Sequence, residues 1–149
     1  MTAREPGGNL VSVELTDTFP PEHPLLPTSP AMQTALVRAL RNEHPGFNCF
    51  LFVYDASSRE SFEQMWEALE TVTKFAAGRR ATGPDSDQGP RVLKVIVGSK
   101  ADLKAEKSVL QPLDKQRYRE LGIERFLVSA LTNYKVEKLW AFILRHVKV

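Results

Sequence analysis

The residues best placed to do chemistry are Ser99, Lys100 and Asp102, in the run Ser99-Lys100-Ala101-Asp102. They set a hydroxyl, an ammonium and a carboxylate close together, directly after the run Val92-Leu93-Lys94-Val95-Ile96-Val97, which Gly98 bounds. An apolar, β-branched run without alternation reads as a strand covered on both faces, as in a parallel sheet. Open α/β sheets bind ligands outside the carboxyl ends of their strands, so this tetrapeptide stands where a ligand would lie. Other chemistries find no such placement. His23, His44 and His146 lie far apart, without metal-ligand spacing. Cys49 falls inside an apolar run and reads as a small packed hydrophobe. Ser57 and Ser58 lack a Gly-x-Ser-x-Gly context and read as turn and cap residues.

The chain that must position these groups has 149 residues, enough for one compact domain. Its 42% hydrophobic and 26% charged residues are ordinary for a soluble globular protein. No apolar run approaches the ~18 residues of a membrane span, and residues 1–8 lack an apolar signal region. The single cysteine suits a reducing compartment, so a cytoplasmic location is expected. A net charge of +2, with no basic run longer than Arg79-Arg80, gives no reason to expect nucleic-acid binding. The ending Arg145-His146-Val147-Lys148-Val149 carries no prenylation cysteine, so no membrane anchor is expected.

Taken in order, residues 1–9 read as a disordered start and residues 10–149 as one domain. Leu10-Val11-Ser12-Val13-Glu14-Leu15 alternates and reads as a half-buried strand. Residues 19–30 hold five prolines and read as loop. A helix is predicted over 30–43, with Met32, Leu36, Ala39 and Leu40 on one face. Residues 47–55 form a second buried strand, followed by a helix capped by Ser58 or Ser61. That helix should bury Phe62, Met65, Trp66, Leu69, Val72 and Phe75. Residues 78–90, rich in Gly, Pro and Asp, read as a flexible insertion. Pro112 opens a short helix that Gly122 ends, and residues 124–131 form the last strand and its exit. A final helix over 133–147 should bury a stripe of Val136, Leu139, Trp140, Ile143, Leu144 and Val147. Strands alternating with helices predict an α/β fold: three layers, a mostly parallel open sheet with helices on both faces.

Several stretches resemble the Ras and Rab-type small GTPases, in that family's order. Ser99-Lys100-Ala101-Asp102 resembles its Asn/Thr-Lys-x-Asp guanine motif, with Ser99 departing from the usual residue. The resemblance implies that Asp102 accepts two hydrogen bonds from a guanine edge and that the Lys100 stem lies along the base. Ser129-Ala130 resembles the family's Ser-Ala-Lys turn, which would set the Ala130 N–H on the guanine carbonyl; Leu131 stands in place of the lysine. Val53-Tyr54-Asp55 followed by Ser61-Phe62 resembles a family scaffold segment, which implies no catalytic role for Asp55. The closing Asn133-Tyr134-Lys135-Val136-Glu137-Lys138-Leu139-Trp140 resembles the family's last helix.

Asp17-Thr18-Phe19-Pro20-Pro21-Glu22 resembles the Asp-Thr-Ala-Gly-Gln-Glu turn beside the terminal phosphate, matching at Asp17, Thr18 and Glu22. Pro20 replaces the glycine whose N–H holds that phosphate, and proline has no N–H. Pro21 replaces the glutamine that orients the attacking water. No glycine in the chain is followed by lysine, so the 149 residues hold no Gly-Lys-Ser/Thr phosphate loop. The family's first strand, central in its sheet, has no counterpart either. The strands at 10–15 and 47–54 are then expected to close up and pair directly; a strand added by a partner, or a longer polypeptide, remain alternatives.

The resemblance therefore implies a small GTPase-like protein with partial guanine-recognition residues. Its expected role is that of a pseudoGTPase, without catalytic residues, acting as a protein-interaction or structural subunit. Its protein partner would meet an exposed sheet edge. GDP or GTP with Mg²⁺ is implied only if a phosphate site is supplied from elsewhere. The alternative is the carboxyl-terminal portion of an active GTPase.

Overall fold

A computed structural model of the chain describes residues 2–4, 10–15, 49–80, 92–104 and 109–147. The turn with Asp17, Thr18, Pro20 and Pro21, and the helix expected over 30–43, lie outside the described residues.

The core sheet is parallel throughout, in the order β3-β4-β5, with β3 at Cys49–Asp55, β4 at Leu93–Ser99 and β5 at Glu124–Leu127. Helix α1 (Arg59–Arg80) joins β3 to β4, α2 (Pro112–Glu120) precedes β5, and α3 (Val136–His146) closes the described chain. Strand side chains alternate between faces, and the core divides accordingly. Phe52, Tyr54 and Ile96 pack with Phe62, Met65, Trp66, Leu69 and Val72 of α1. Val95 and Val97 pack on the opposite face with Val128 and with Leu139 and Ile143 of α3. Helices thus cover both faces, giving the α/β three-layer arrangement.

Helix α1 starts where its cap dictates: the Ser61 N–H donates to Ser58 Oγ at 3.2 Å, satisfying a donor the first turn would otherwise orphan. It continues to Arg80, so residues 78–80, read as part of an insertion, belong to the helix. Helix α2 ends at a glycine for a conformational reason. Gly122 has φ 61°, its N–H donates to the Arg119 carbonyl at 3.0 Å, and the Ile123 N–H donates to the Tyr118 carbonyl at 3.4 Å. That paired closure needs a left-handed residue, which glycine adopts without strain. Helix α3 begins three residues later than expected because Asn133 and Lys135 are themselves left-handed, both with φ 56°.

Two expectations about the strands fail. Residues 10–15 do not join the parallel sheet: β2 (Leu10–Ser12) pairs antiparallel with β1 (Thr2–Arg4), in a stretch read as disordered. A partner a few residues away costs far less loop-closure entropy than one near residue 49. Nor is β3 buried on both faces, since Val53 is 56% exposed. Among the described residues β3 ends the strand order, with β4 as its neighbour in that sheet.

Gly98 lies inside β4 rather than ending it, opposite Tyr54 on one side and Leu127 on the other. A Cβ there would meet Tyr54 Oη at 2.8 Å and Leu127 Cδ1 at 2.9 Å. Tyr54 cannot retreat: it is 1% exposed, and its hydroxyl accepts from Arg125 Nε and Nη2 at 3.0 and 2.8 Å. Gly98→Ala is therefore expected to destabilise by about 1–3 kcal/mol. Thermal unfolding checks this; an unchanged midpoint would contradict the packing described.

Candidate functional site

The carboxyl ends of β3, β4 and β5 converge on the turn Ser99–Asp102, which is tied to both neighbouring strands. Toward β3, the Ala56 N–H donates to the Ser99 carbonyl at 3.0 Å and Ser99 Oγ donates to the Tyr54 carbonyl at 2.8 Å. Lys100 Nζ completes that side on Asp55 Oδ2 at 2.6 Å. Toward β5, the Val128 N–H donates to the Gly98 carbonyl at 2.8 Å and the Ala101 N–H to the Val128 carbonyl at 3.0 Å. Ser129 Oγ donates to Asp102 Oδ1 at 2.6 Å. A segment held from both sides is preorganised, so a ligand met there does not have to order it.

Lys100 makes the turn with φ 57°, a left-handed conformation unusual for a residue with a side chain. Ala101–Leu103 then form one short 3₁₀ turn, which sets Asp102 toward Ser129. Ser129 is fully buried, and its hydroxyl also accepts the Thr132 N–H at 3.3 Å. With its proton given to Asp102 and a lone pair given to Thr132, its orientation is fixed. Asp102 is a half-buried residue whose Oδ2 takes none of the described hydrogen bonds, so it is able to accept from a planar donor edge.

The structure therefore brings Ser99, Lys100, Asp102 and Ser129 together. Ala130 and Leu131 follow on the same rim, both exposed, Leu131 at 84%. Asp55, read from the sequence as scaffold without a catalytic role, anchors Lys100. The signal lay in the parallel register, which sets Asp55 beside Ser99. Its carboxyl is held down at about 2 by the Lys100 hydrogen bond first, then by the Ser57 hydroxyl and N–H. Elsewhere, burial pushes the Cys49 thiol up to about 11, so it stays protonated at neutral pH and is no nucleophile. Among the described residues no group of three or more His, Cys, Asp or Glu could hold a metal ion, and no helix is long and apolar enough to cross a membrane.

In open α/β sheets the ligand crevice lies outside the carboxyl ends of the strands, which is where this turn stands. A profile of the Ras family matches residues 33–149, well over half of the sequence. The chain belongs to the Ras family. It is also similar to Circularly permutated Ras protein 1 of Dictyostelium discoideum, 27% identical over 99 residues. That match covers 66% of this chain and 10% of the relative, so the chain spans about a tenth of that protein's length.

Proposed function

We propose that this chain carries the base-reading half of a guanine-nucleotide site and acts as a pseudoGTPase subunit. The observation that carries this reading is the Asp102–Ser129 pair at 2.6 Å, which fixes the carboxylate while leaving Oδ2 and the second lone pair of Oδ1 for a two-donor edge. Guanine presents a ring N–H and an exocyclic amine on one edge, a match for a carboxylate; adenine presents no such pair of donors. Ala130 N–H would meet the guanine carbonyl, and the Lys100 stem and Leu131 would flank the ring. Nothing in the 149 residues supplies a Gly-Lys-Ser/Thr loop, so the triphosphate and Mg²⁺ lack their usual holders. Turnover is not expected from this chain alone.

The partner we propose is a polypeptide that places a phosphate-binding strand, loop and helix against the β3 side of the sheet. Supporting this are the terminal position of β3 in the strand order and the 56% exposure of Val53. A cytoplasmic setting goes with this reading. A second reading, the base half of an active GTPase within a longer polypeptide, is favoured by the 10% share of the permutated relative that the chain covers. The mass of the native polypeptide separates the two.

Thermal unfolding with GDP, GTP and ADP, with and without Mg²⁺, tests the base site. Saturation at a hundred times Kd stabilises by about 2.7 kcal/mol, on the order of 5–10 °C here. A rise with GDP and none with ADP is expected. Equal shifts with both would refute guanine reading, and GTP hydrolysis abolished by Asp102→Ala would refute the pseudoGTPase.

A further inference from the structure

We infer that Asp55 is a positioning residue that sequesters the Lys100 ammonium and so keeps Asp102 open as an acceptor. This rests on the base-reading proposal above and adds a residue that it does not use.

Lys100 and Asp102 lie two residues apart on one tight turn. An unrestrained ammonium there has the unoccupied Asp102 oxygen as its natural counter-ion, and a lysine seated on it would block any donor edge. Instead Lys100 reaches across from the end of β4 to the end of β3 and meets Asp55 Oδ2 at 2.6 Å. The acceptor is held by other donors besides the lysine. Asp55 Oδ1 takes the Ser57 N–H at 2.8 Å and the Ser57 hydroxyl at 2.6 Å, and the Asp55 N–H donates to Ser61 Oγ at 2.9 Å in the first turn of α1. Most surface ion pairs immobilise two mobile side chains, which erodes their worth. Here only the lysine is ordered, since the Asp55 side chain is 22% exposed and already held by Ser57. Lys100 makes this reach from a left-handed backbone, with φ 57°.

The test is an amide-resolved NMR titration of the full chain with GMP and with AMP, following Asp102 and Ser129. It compares the unaltered protein with Asp55→Asn, Lys100→Met and the double variant. GMP should shift these amides and AMP should not. Asp55→Asn should weaken GMP about fivefold, the size an ion pair of this exposure supports. Adding Lys100→Met should restore GMP binding to the level of Lys100→Met alone, which a merely structural loss at Asp55 would not allow. Unchanged affinity in Asp55→Asn would overturn the positioning role while leaving the base site standing. Weakening that persists in the double variant would overturn it too, as would an Asp55→Asn protein without dispersed amide signals. If neither nucleotide moves Asp102 or Ser129 in the unaltered protein, the base site itself fails and this inference falls with it.

Discussion

Arg59→Met should lower stability by about 3 kcal/mol, a fall on the order of 10 °C in the unfolding midpoint. Arg59 pairs through Nη1 with Asp114 Oδ2, and its Nη2 donates to Asp114 Oδ1 at 3.3 Å. The same Nη1 reaches the Val109 carbonyl at 3.3 Å, so one guanidinium joins α1 to the start of α2. The two partners differ in exposure: the Asp114 side chain is 3% exposed and that of Arg59 36%. Removing the arginine leaves a buried carboxylate with only the Gln111 N–H at 2.9 Å. Breaking a buried pair costs about 3–5 kcal/mol, and the solvent reach of Arg59 sets the expectation at the low end.

The pH dependence gives this effect a signature. Burial pushes the Asp114 carboxyl up, but the hydrogen bonds from Arg59 and Gln111 and the nearby guanidinium charge outweigh it, and the net position is below the ordinary value. The pair's stabilisation is therefore complete above the unfolded value near pH 4 and is lost as pH falls through the lower folded value. In Arg59→Met burial dominates, the folded value rises, and acid relieves the strain. The two unfolding curves should converge below about pH 4. A stability difference that persisted unchanged into acid would assign the loss to packing instead. Asp114→Asn added to Arg59→Met should recover part of the loss at neutral pH.

At the site, Asp102→Ala should reduce guanine nucleotide binding by about thirtyfold or more, about 2 kcal/mol for hydrogen bonds to a charged acceptor. It should leave adenine nucleotide binding where it was, so preference is lost together with affinity. Ser129 complicates the variant, because its buried hydroxyl then loses the partner that takes its proton. Asp102→Asn is the cleaner companion: its amide oxygen can still accept from Ser129 while one ligand-facing acceptor becomes a donor. Competition of GMP and xanthosine monophosphate reads this directly. Xanthine carries a carbonyl where guanine carries the amine, so Asp102→Asn should favour xanthine over guanine. A guanine preference unaltered by either substitution would remove Asp102 from the site.

Much of this was legible from residue types. The runs at 47–55 and 92–97, the stripe on α1, the glycine stop at 122 and the Ser99–Asp102 turn all follow from periodicity and turn chemistry. What escaped depended on neighbours. Val53 looks like any buried strand residue, since sequence does not show that β3 ends the strand order. The pairing of β2 turned on competition between a near and a far partner, where closure entropy decides. Asp55 escaped because its role comes from parallel register, which sets residues 45 positions apart side by side at the site. Gly98 read as a terminator, whereas its missing side chain makes room for Tyr54.

The division of the core has a consequence for how sequence change accumulates. Ile96 belongs to the cluster under α1, Val95 and Val97 to the cluster under α3, and among the described residues no side chain belongs to both. Substitutions well separated in the two clusters, away from the adjacent Val95, Ile96 and Val97, should therefore have additive energetic effects. The two layers can drift independently as long as the backbone of β4 between them keeps its path. At its carboxyl end sit Ser99, Lys100 and Asp102, so the position of that turn depends on both layers.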